Sequence, residues 1–178
     1  MDYRFFDHNA TTPLWPEARD AWLKAESAYW HNPSSPYRAG ASAKVRLEQA
    51  RESMADILAV SPSRLIFNSG ATEGNNAVFA HWARVLSPEA RIAVNPVEHP
   101  SVIEAAKRFF SERIEWIPLL SNGGVDFEWL ADALDQKRVS AVSSMAANNE
   151  TGICFDWRNL ALLCQKAAIP YHCDASQW

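Results

Sequence analysis

Apolar residues keep helical spacing from residue 16 to 29, where Ala18, Ala21, Trp22, Ala25 and Tyr29 share a face. The pattern predicts a helix opened by Pro16, whose missing N–H costs little in a first turn. A second helix is predicted over Ala41 to Ala59, with Val45, Leu47, Ala50, Met54, Ile57 and Leu58 as its buried stripe. Between the two, His31-Asn32-Pro33-Ser34-Ser35-Pro36 holds too many prolines and turn formers for regular structure. A short strand is predicted over Tyr3 to Phe6. Residues 1–15 read as an arm, and residues 16–178 as one domain.

Beyond the turn at Ser61-Pro62-Ser63, strand-like and helix-like patterns alternate. Strands are predicted at Leu65–Phe67, Arg91–Val97, Ile114–Leu119, Val139–Met145 and Pro170–Cys173. Helices are predicted at Thr72–Leu86, Pro100–Glu112, Asp126–Lys137 and Asp156–Ala168. Asp126 and Asp156 are suited to cap the last two. The unbroken apolar run Val139 to Met145 is that of a strand covered on both faces. This alternation predicts an α/β fold with a mostly parallel sheet and right-handed crossovers.

Four polar clusters fall where these segments change over. They are Asn68-Ser69-Gly70-Ala71-Thr72-Glu73, Glu98-His99-Pro100-Ser101, Asn148-Asn149-Glu150-Thr151-Gly152 and Asp174-Ala175-Ser176-Gln177. A parallel sheet brings all its strand C-termini to one edge, where ligands bind, so distant clusters can converge there.

Composition narrows the chemistry. The 178 residues are 48% hydrophobic, enough for a globular core. The net charge of −4 gives no basic field for nucleic acid or anionic membrane. No apolar run reaches the roughly 18 residues that cross a bilayer. The N-terminus, MDYRFFDHNATTP, lacks the basic and apolar regions of a secretory signal, so a cytoplasmic location is expected. Cys154, Cys164 and Cys173 are odd in number and lack CxxC spacing, and read as ordinary small apolar residues rather than zinc ligands. Cys173 beside His172 would project from the opposite sheet face, which argues against joint ligation. The eight tryptophans are scattered and read as packing residues.

Each cluster has a chemical and a plain reading. The first places Gly70 and Thr72 at a helix start, where free N–H groups and the helix dipole favour a phosphate. It matches neither GxGxxG nor GxxxxGK[ST], so no dinucleotide or nucleoside-triphosphate site is indicated. Its plain reading is a helix capped by Thr72 or Ser69. His99 is either a helix-end histidine satisfied by backbone or an imidazole placed to stack on a planar ligand and move protons. The amide-rich third cluster is either an Asx turn or a donor set, and carries more polar groups than a turn needs. Asp174 follows an apolar strand, where a carboxylate needs a partner. A protonated ring nitrogen, a metal or an arginine would serve. Phosphate cradle, stacking ring, amide and buried carboxylate together suit a phosphorylated heteroaromatic cofactor.

Several motifs strengthen that reading. They run in order as FDHNATTP at Phe6 to Pro13, NPSS at Asn32 to Ser35, G-x-x-A at Gly40 to Ala43 and NSGATEGNN at Asn68 to Asn76. EH at Glu98-His99, NGG-V-D at Asn122 to Asp126, NNETG at Asn148 to Gly152 and YHCDASQ at Tyr171 to Gln177 follow. On these the chain resembles the class V aminotransferases of the pyridoxal-phosphate fold type I group, and among them the cysteine desulfurases. The resemblance implies a three-layer α/β/α large domain that binds pyridoxal 5'-phosphate. It implies that Ala71 and Thr72 hold the phosphate and that His99 stacks on the ring and takes part in proton transfer. It further implies that Asn149 and Gln177 bond the phenolic oxygen, and that Asp174 pairs with the pyridinium nitrogen. An L-cysteine substrate, a homodimer, a sulfur-acceptor protein and a place in iron–sulfur cluster assembly belong to the same implication.

The chain also departs from the family. It has no Ser-x-His-Lys motif for the Schiff-base lysine, and Lys24, Lys44, Lys107, Lys137 and Lys166 all sit on predicted helices or at their ends. None of its three cysteines matches the family's sulfur-accepting one, and Trp178 stands where the family has a small residue. The chain therefore resembles the N-terminal half of such an enzyme, and alone is expected to be inactive. Selenocysteine lyase or another class V activity, a non-catalytic binding module and a half complemented by a second polypeptide remain as other readings. An isolated half is also expected to associate or aggregate through an uncovered sheet edge.

Overall fold

The computed structural model describes residues 4–178. They form two compact units, Met1–Phe67 and Asn68–Trp178. Of the strand expected over Tyr3–Phe6, Tyr3 lies outside the described residues and Arg4–Phe6 carry no strand.

The first unit is helical. α1 spans Pro16–Tyr29 with Pro in its first turn, as its pattern requires. α2 spans Arg38–Leu58 and ends at Ala59 in the left-handed region, whose N–H closes the last turn. A short 3-10 turn, Pro62–Arg64, follows. Gly40 is needed where α2 begins. A Cβ there would meet Ser35 O at 2.6 Å and Asn32 O at 2.7 Å. The turn, tied by Ser35 N to Asn32 O at 3.1 Å, is therefore pressed directly onto the helix backbone.

The expected apolar stripe of α2 is not buried. Val45, Leu47, Met54, Ile57 and Leu58 are exposed, and only Gly40, Ala43 and Ala55 of this helix are buried. Trp15, Trp22 and Trp30 are likewise exposed, against their expected role as packing residues. An amphipathic helix buries a stripe only against another element. Within this unit that stripe stays uncovered. The strand expected at Leu65–Phe67 is absent as well, and Ile66 is 82% exposed. An apolar run becomes a strand only beside another strand, and none pairs with it.

The second unit is a three-layer α/β/α sandwich. Its order is α3 (Ala71–Val85), β1 (Ile92–Val94), α4 (Pro100–Phe110), β2 (Ile114–Trp116), α5 (Phe127–Asp135), β3 (Ala141–Ser143), α6 (Trp157–Lys166) and β4 (Tyr171–His172). The strands pair in parallel, in the order β2-β1-β3-β4. Strand alternation sorts the core into two layers. Ile92, Val94 and Ala141 face Phe79 and Trp82 of α3 and Val102, Ala106 and Phe110 of α4. Ala93 and Val142 face Leu130 and Ala133 of α5 and Leu160 and Cys164 of α6. Asp126 and Asp156 cap α5 and α6 as expected, accepting from Trp129 N at 3.0 Å and Asn159 N at 3.2 Å. Of the three cysteines only Cys164 is buried; Cys154 is exposed and Cys173 intermediate.

The strand order reverses between β1 and β3. The chain leaves β1 toward β2 on one side and returns to β3 on the other. Such a reversal opens a crevice at the strand C-termini. Asn95 and Ser144, just past β1 and β3, meet there at 3.1 Å. No helix among the described residues is long and apolar enough to cross a membrane.

Candidate functional site

Of the four polar clusters, the second and the fourth are joined by hydrogen bonds through Asn75. The start of α3 supplies the first. Gly70 occupies the N-cap with φ 149°, a region that favours glycine, and its N–H donates to Asn68 Oδ1 at 3.0 Å. The expected caps do not form. Thr72 makes no cap bond, and Ser69 instead donates its N–H to Glu73 Oε2 at 2.7 Å and its hydroxyl to the same oxygen. These bonds hold the Glu73 carboxyl below its ordinary range. Ala71 and Thr72 stay exposed at the first turn, where helix N–H groups have no intrahelical acceptor.

The second cluster follows β1. His99 is the N-cap of α4, and its Nδ1 accepts from Ser101 N at 3.1 Å, with Ser101 Oγ at 2.7 Å. The helix-end reading of His99 is thus correct for one nitrogen, while the exposed ring is left for a ligand. Pinning Nδ1 fixes the ring plane, as a stacking group requires.

The third cluster divides its labour. Asn148 is 8% exposed and builds the turn. Its Oδ1 accepts from Glu150 N at 3.0 Å, Thr151 N at 2.8 Å and Thr151 Oγ1 at 3.0 Å. Its Nδ2 donates to Val97 O at 2.8 Å, which ties the turn to the segment after β1. The Asx-turn reading therefore holds for Asn148, and the half-buried Asn149 is the side chain this turn presents at the sheet edge.

Asp174, just past β4, is 8% exposed. Its Oδ1 accepts from Ser176 N at 3.0 Å and Ser176 Oγ at 2.6 Å, and its Oδ2 from Asn75 Nδ2 at 2.9 Å. Burial pushes its carboxyl up. The Ser176 and Asn75 bonds and nearby His172 outweigh burial, so the group lies below its ordinary value and is an anion at neutral pH. The partner that the sequence demanded for this carboxylate is thus partly the protein itself. Gln177 is exposed immediately beyond Ser176.

Asn75, His172 and Glu98 stood in the motifs read from sequence but were given no role of their own. Asn75 is 4% exposed on the α3 face that also carries Phe79 and Trp82. Its Nδ2 donates to Ser101 Oγ at 2.9 Å as well as to Asp174, so one amide joins the hydrogen-bond partner of His99 to the buried carboxylate. An amide on an apolar stripe at spacings of four and three was the signal available. His172 packs edge-on against Phe79 and Trp82. Burial holds it below its ordinary pKa, against the pull of Asp174. Glu98 is 6% exposed, and its Oε2 has no hydrogen-bond partner. Burial first and Asp174 second push its carboxyl up to about 8.

Comparison with known proteins points to one family. The family model for Aminotransferase class-V matches residues 4–178. An IscS-like cysteine desulfurase of Mycobacterium tuberculosis is 34% identical, over 97% of this chain and 46% of its own length. A mitochondrial cysteine desulfurase of Drosophila melanogaster is 32% identical, over 97% of this chain and 38% of its own. Among solved structures, a NifS-like protein superposes with a TM-score of 0.90 at 32% identity, covering 97% of this chain and 49% of that one. The chain spans less than half the length of each of these relatives.

Proposed function

The chain belongs to the class V aminotransferases, a pyridoxal-phosphate-dependent family, and from that premise we propose that residues 68–178 form the cofactor-binding face of a cysteine desulfurase. The observation that carries the proposal is Asp174: a buried carboxylate, kept ionised by donors on both oxygens, just past the C-terminal end of β4 in the parallel sheet.

The residues fit the cofactor. A buried anion accepts a protonated ring nitrogen better than a neutral one, and three bonds fix its two oxygens in place. His99 would lie against the ring, its plane set by Ser101. The α3 N-terminus, with the N–H groups of Ala71 and Thr72 and the Thr72 hydroxyl, would hold the phosphate. Asn149 and Gln177 would bond the phenolic oxygen. When bound, the cofactor supplies an electron sink for the bonds at the substrate's α-carbon. Asp174 keeps the ring nitrogen's proton in place, and His99 offers an imidazole for proton transfer at the ring face.

The substrate proposed is L-cysteine, on the strength of the relatives' names. Removal of its sulfur to give alanine and a persulfide needs a lysine and a thiol that these motifs do not include. The 178 residues alone are therefore proposed to bind cofactor without sustained turnover. A homodimer, a protein sulfur acceptor, a role in iron–sulfur cluster assembly and a cytoplasmic setting complete the proposal and rest on the family resemblance.

Titration with pyridoxal 5'-phosphate, with pyridoxal as control, tests the site. Saturable binding of the phosphate form is expected, at least ~10-fold tighter than pyridoxal, about 1.4 kcal/mol. Equal affinity would remove the α3 cradle from the proposal.

A further inference from the structure

One backbone N–H determines the proton inventory across the buried centre. Ser101 N can only donate, so His99 Nδ1 is an acceptor. Ser101 Oγ, 2.7 Å from the same nitrogen, must then donate to it as well. That leaves Ser101 Oγ to accept from Asn75, which orients the amide with Nδ2 toward Ser101 and Asp174. Asn75 Oδ1 therefore faces His172 Nε2 at 3.1 Å, and that nitrogen carries the proton. Burial keeps His172 neutral, so its Nδ1 is an acceptor. Ser143 Oγ, 2.9 Å from Nδ1, must give its only proton there. Glu98 Oε1 lies 3.4 Å from Ser143 Oγ, which has no proton left for it.

We propose that Glu98 is a neutral carboxylic acid at the end of a one-directional relay, Glu98–Ser143–His172–Asn75–Asp174, and that it positions Asp174 as the lone anion of the pocket. The acid's proton points to Ser143, and every later member donates toward Asp174. The unpartnered Oε2 agrees, because a buried ionised carboxylate with an orphan oxygen is far costlier than a buried acid carbonyl. Asp174, Cys173 and Tyr171 of the β4 segment face Glu98 and none of them is a cation; His172, reached through Ser143, is kept neutral by burial. On the β3 side the Met145 backbone N–H and Ser143 favour its charged form, less strongly than burial and Asp174 oppose it. Two close carboxyls without a cation share one charge, and the hydrogen bonds assign it to Asp174.

Ionising Glu98 reverses the logic. Ser143 would turn its proton to Glu98, and His172 Nδ1 would lose its donor. Either His172 exchanges tautomer and opposes a lone pair to Asn75 Oδ1, or Asn75 flips and presents its carbonyl to Asp174. Glu98 thus acts on the pocket through other residues, as a positioning group.

Carbon-13 and nitrogen-15 spectra of His172 test this on the unsubstituted chain, without cofactor. The Nε2–H tautomer is expected at pH 7, giving way as the pH passes about 8, and Glu98→Gln is expected to keep it throughout. The Nδ1–H tautomer at pH 7, or the same pH change in Glu98→Gln, would overturn the relay. Should Glu98→Gln not fold, the infrared carbonyl band of a protonated acid in the unsubstituted chain decides: present at pH 7 and lost above pH 8 supports it, absent at pH 7 overturns it. A second arm rests on the proposed function. Affinity for pyridoxal 5'-phosphate should fall at least ~3-fold above pH 8 in the unsubstituted chain and stay within ~2-fold in Glu98→Gln. A pH loss shared by both would overturn the positioning of Asp174. Failure of the cofactor to bind at all, with the tautomer as expected, would count against the function and leave the relay standing.

Discussion

Glu98→Gln should stabilise the protein above neutral pH, in spite of removing a native group. The carboxyl sits at about 8 in the folded chain against an ordinary 4.5. Between those values the folded state holds a proton that the unfolded chain has released. Stability is therefore fully present below pH 4.5 and is lost as the pH rises toward 8, becoming level above it. At ~1.4 kcal/mol per pH unit the loss is about 3 kcal/mol by pH 7 and about 4 kcal/mol by pH 8. Glutamine is neutral at every pH and keeps a donor for Ser143, so it escapes the loss. Asp174 has the opposite sign: its carboxyl lies below its ordinary value, so its contribution is present at neutral pH and is lost on acidification. That contribution is common to both proteins and drops out of the comparison. Urea unfolding of the two at pH 5, 6, 7 and 8 gives the difference directly. Near-equality at pH 5 and a rise of about 2–5 kcal/mol in favour of Glu98→Gln by pH 8 are expected. A difference that stays flat within about 1 kcal/mol across that range would refute the buried neutral acid.

Asn75→Leu should cost about 2–4 kcal/mol in urea unfolding, because it leaves Asp174 Oδ2 and His172 Nε2 buried without this partner. Phe110→Ala empties a fully buried position against Phe79 and Arg113, and should cost about 3–5 kcal/mol by the same measurement.

The legible part of the site was the part set by strand ends. Asp174 and His99 each follow a strand of the parallel sheet, while α3, which follows no strand, reaches them through Asn75. The relay was hidden because Asn75 lies in a polar helix start and His172 in an apolar strand, with no sequence pattern linking the two. Only the tertiary fold places a helix amide from residue 75 against a strand end 99 positions later. The helices and four of the five expected strands of the alternating region were legible from period alone. Leu65–Phe67 was misread because an apolar run states what a segment prefers and leaves open whether a neighbour exists to pair with it. The α2 stripe failed in the same way. Val45, Met54 and Ile57 mark a face suited to burial, yet α2 buries only Gly40, Ala43 and Ala55.

The central claim is that Asp174 is the anion that receives a protonated cofactor ring. Calorimetric titration of pyridoxal 5'-phosphate into the chain and into Asp174→Ala measures this most directly. The account predicts one saturable site in the unsubstituted chain, weakened at least ~10-fold in Asp174→Ala. Equal affinity in the two proteins, both folded, would contradict it.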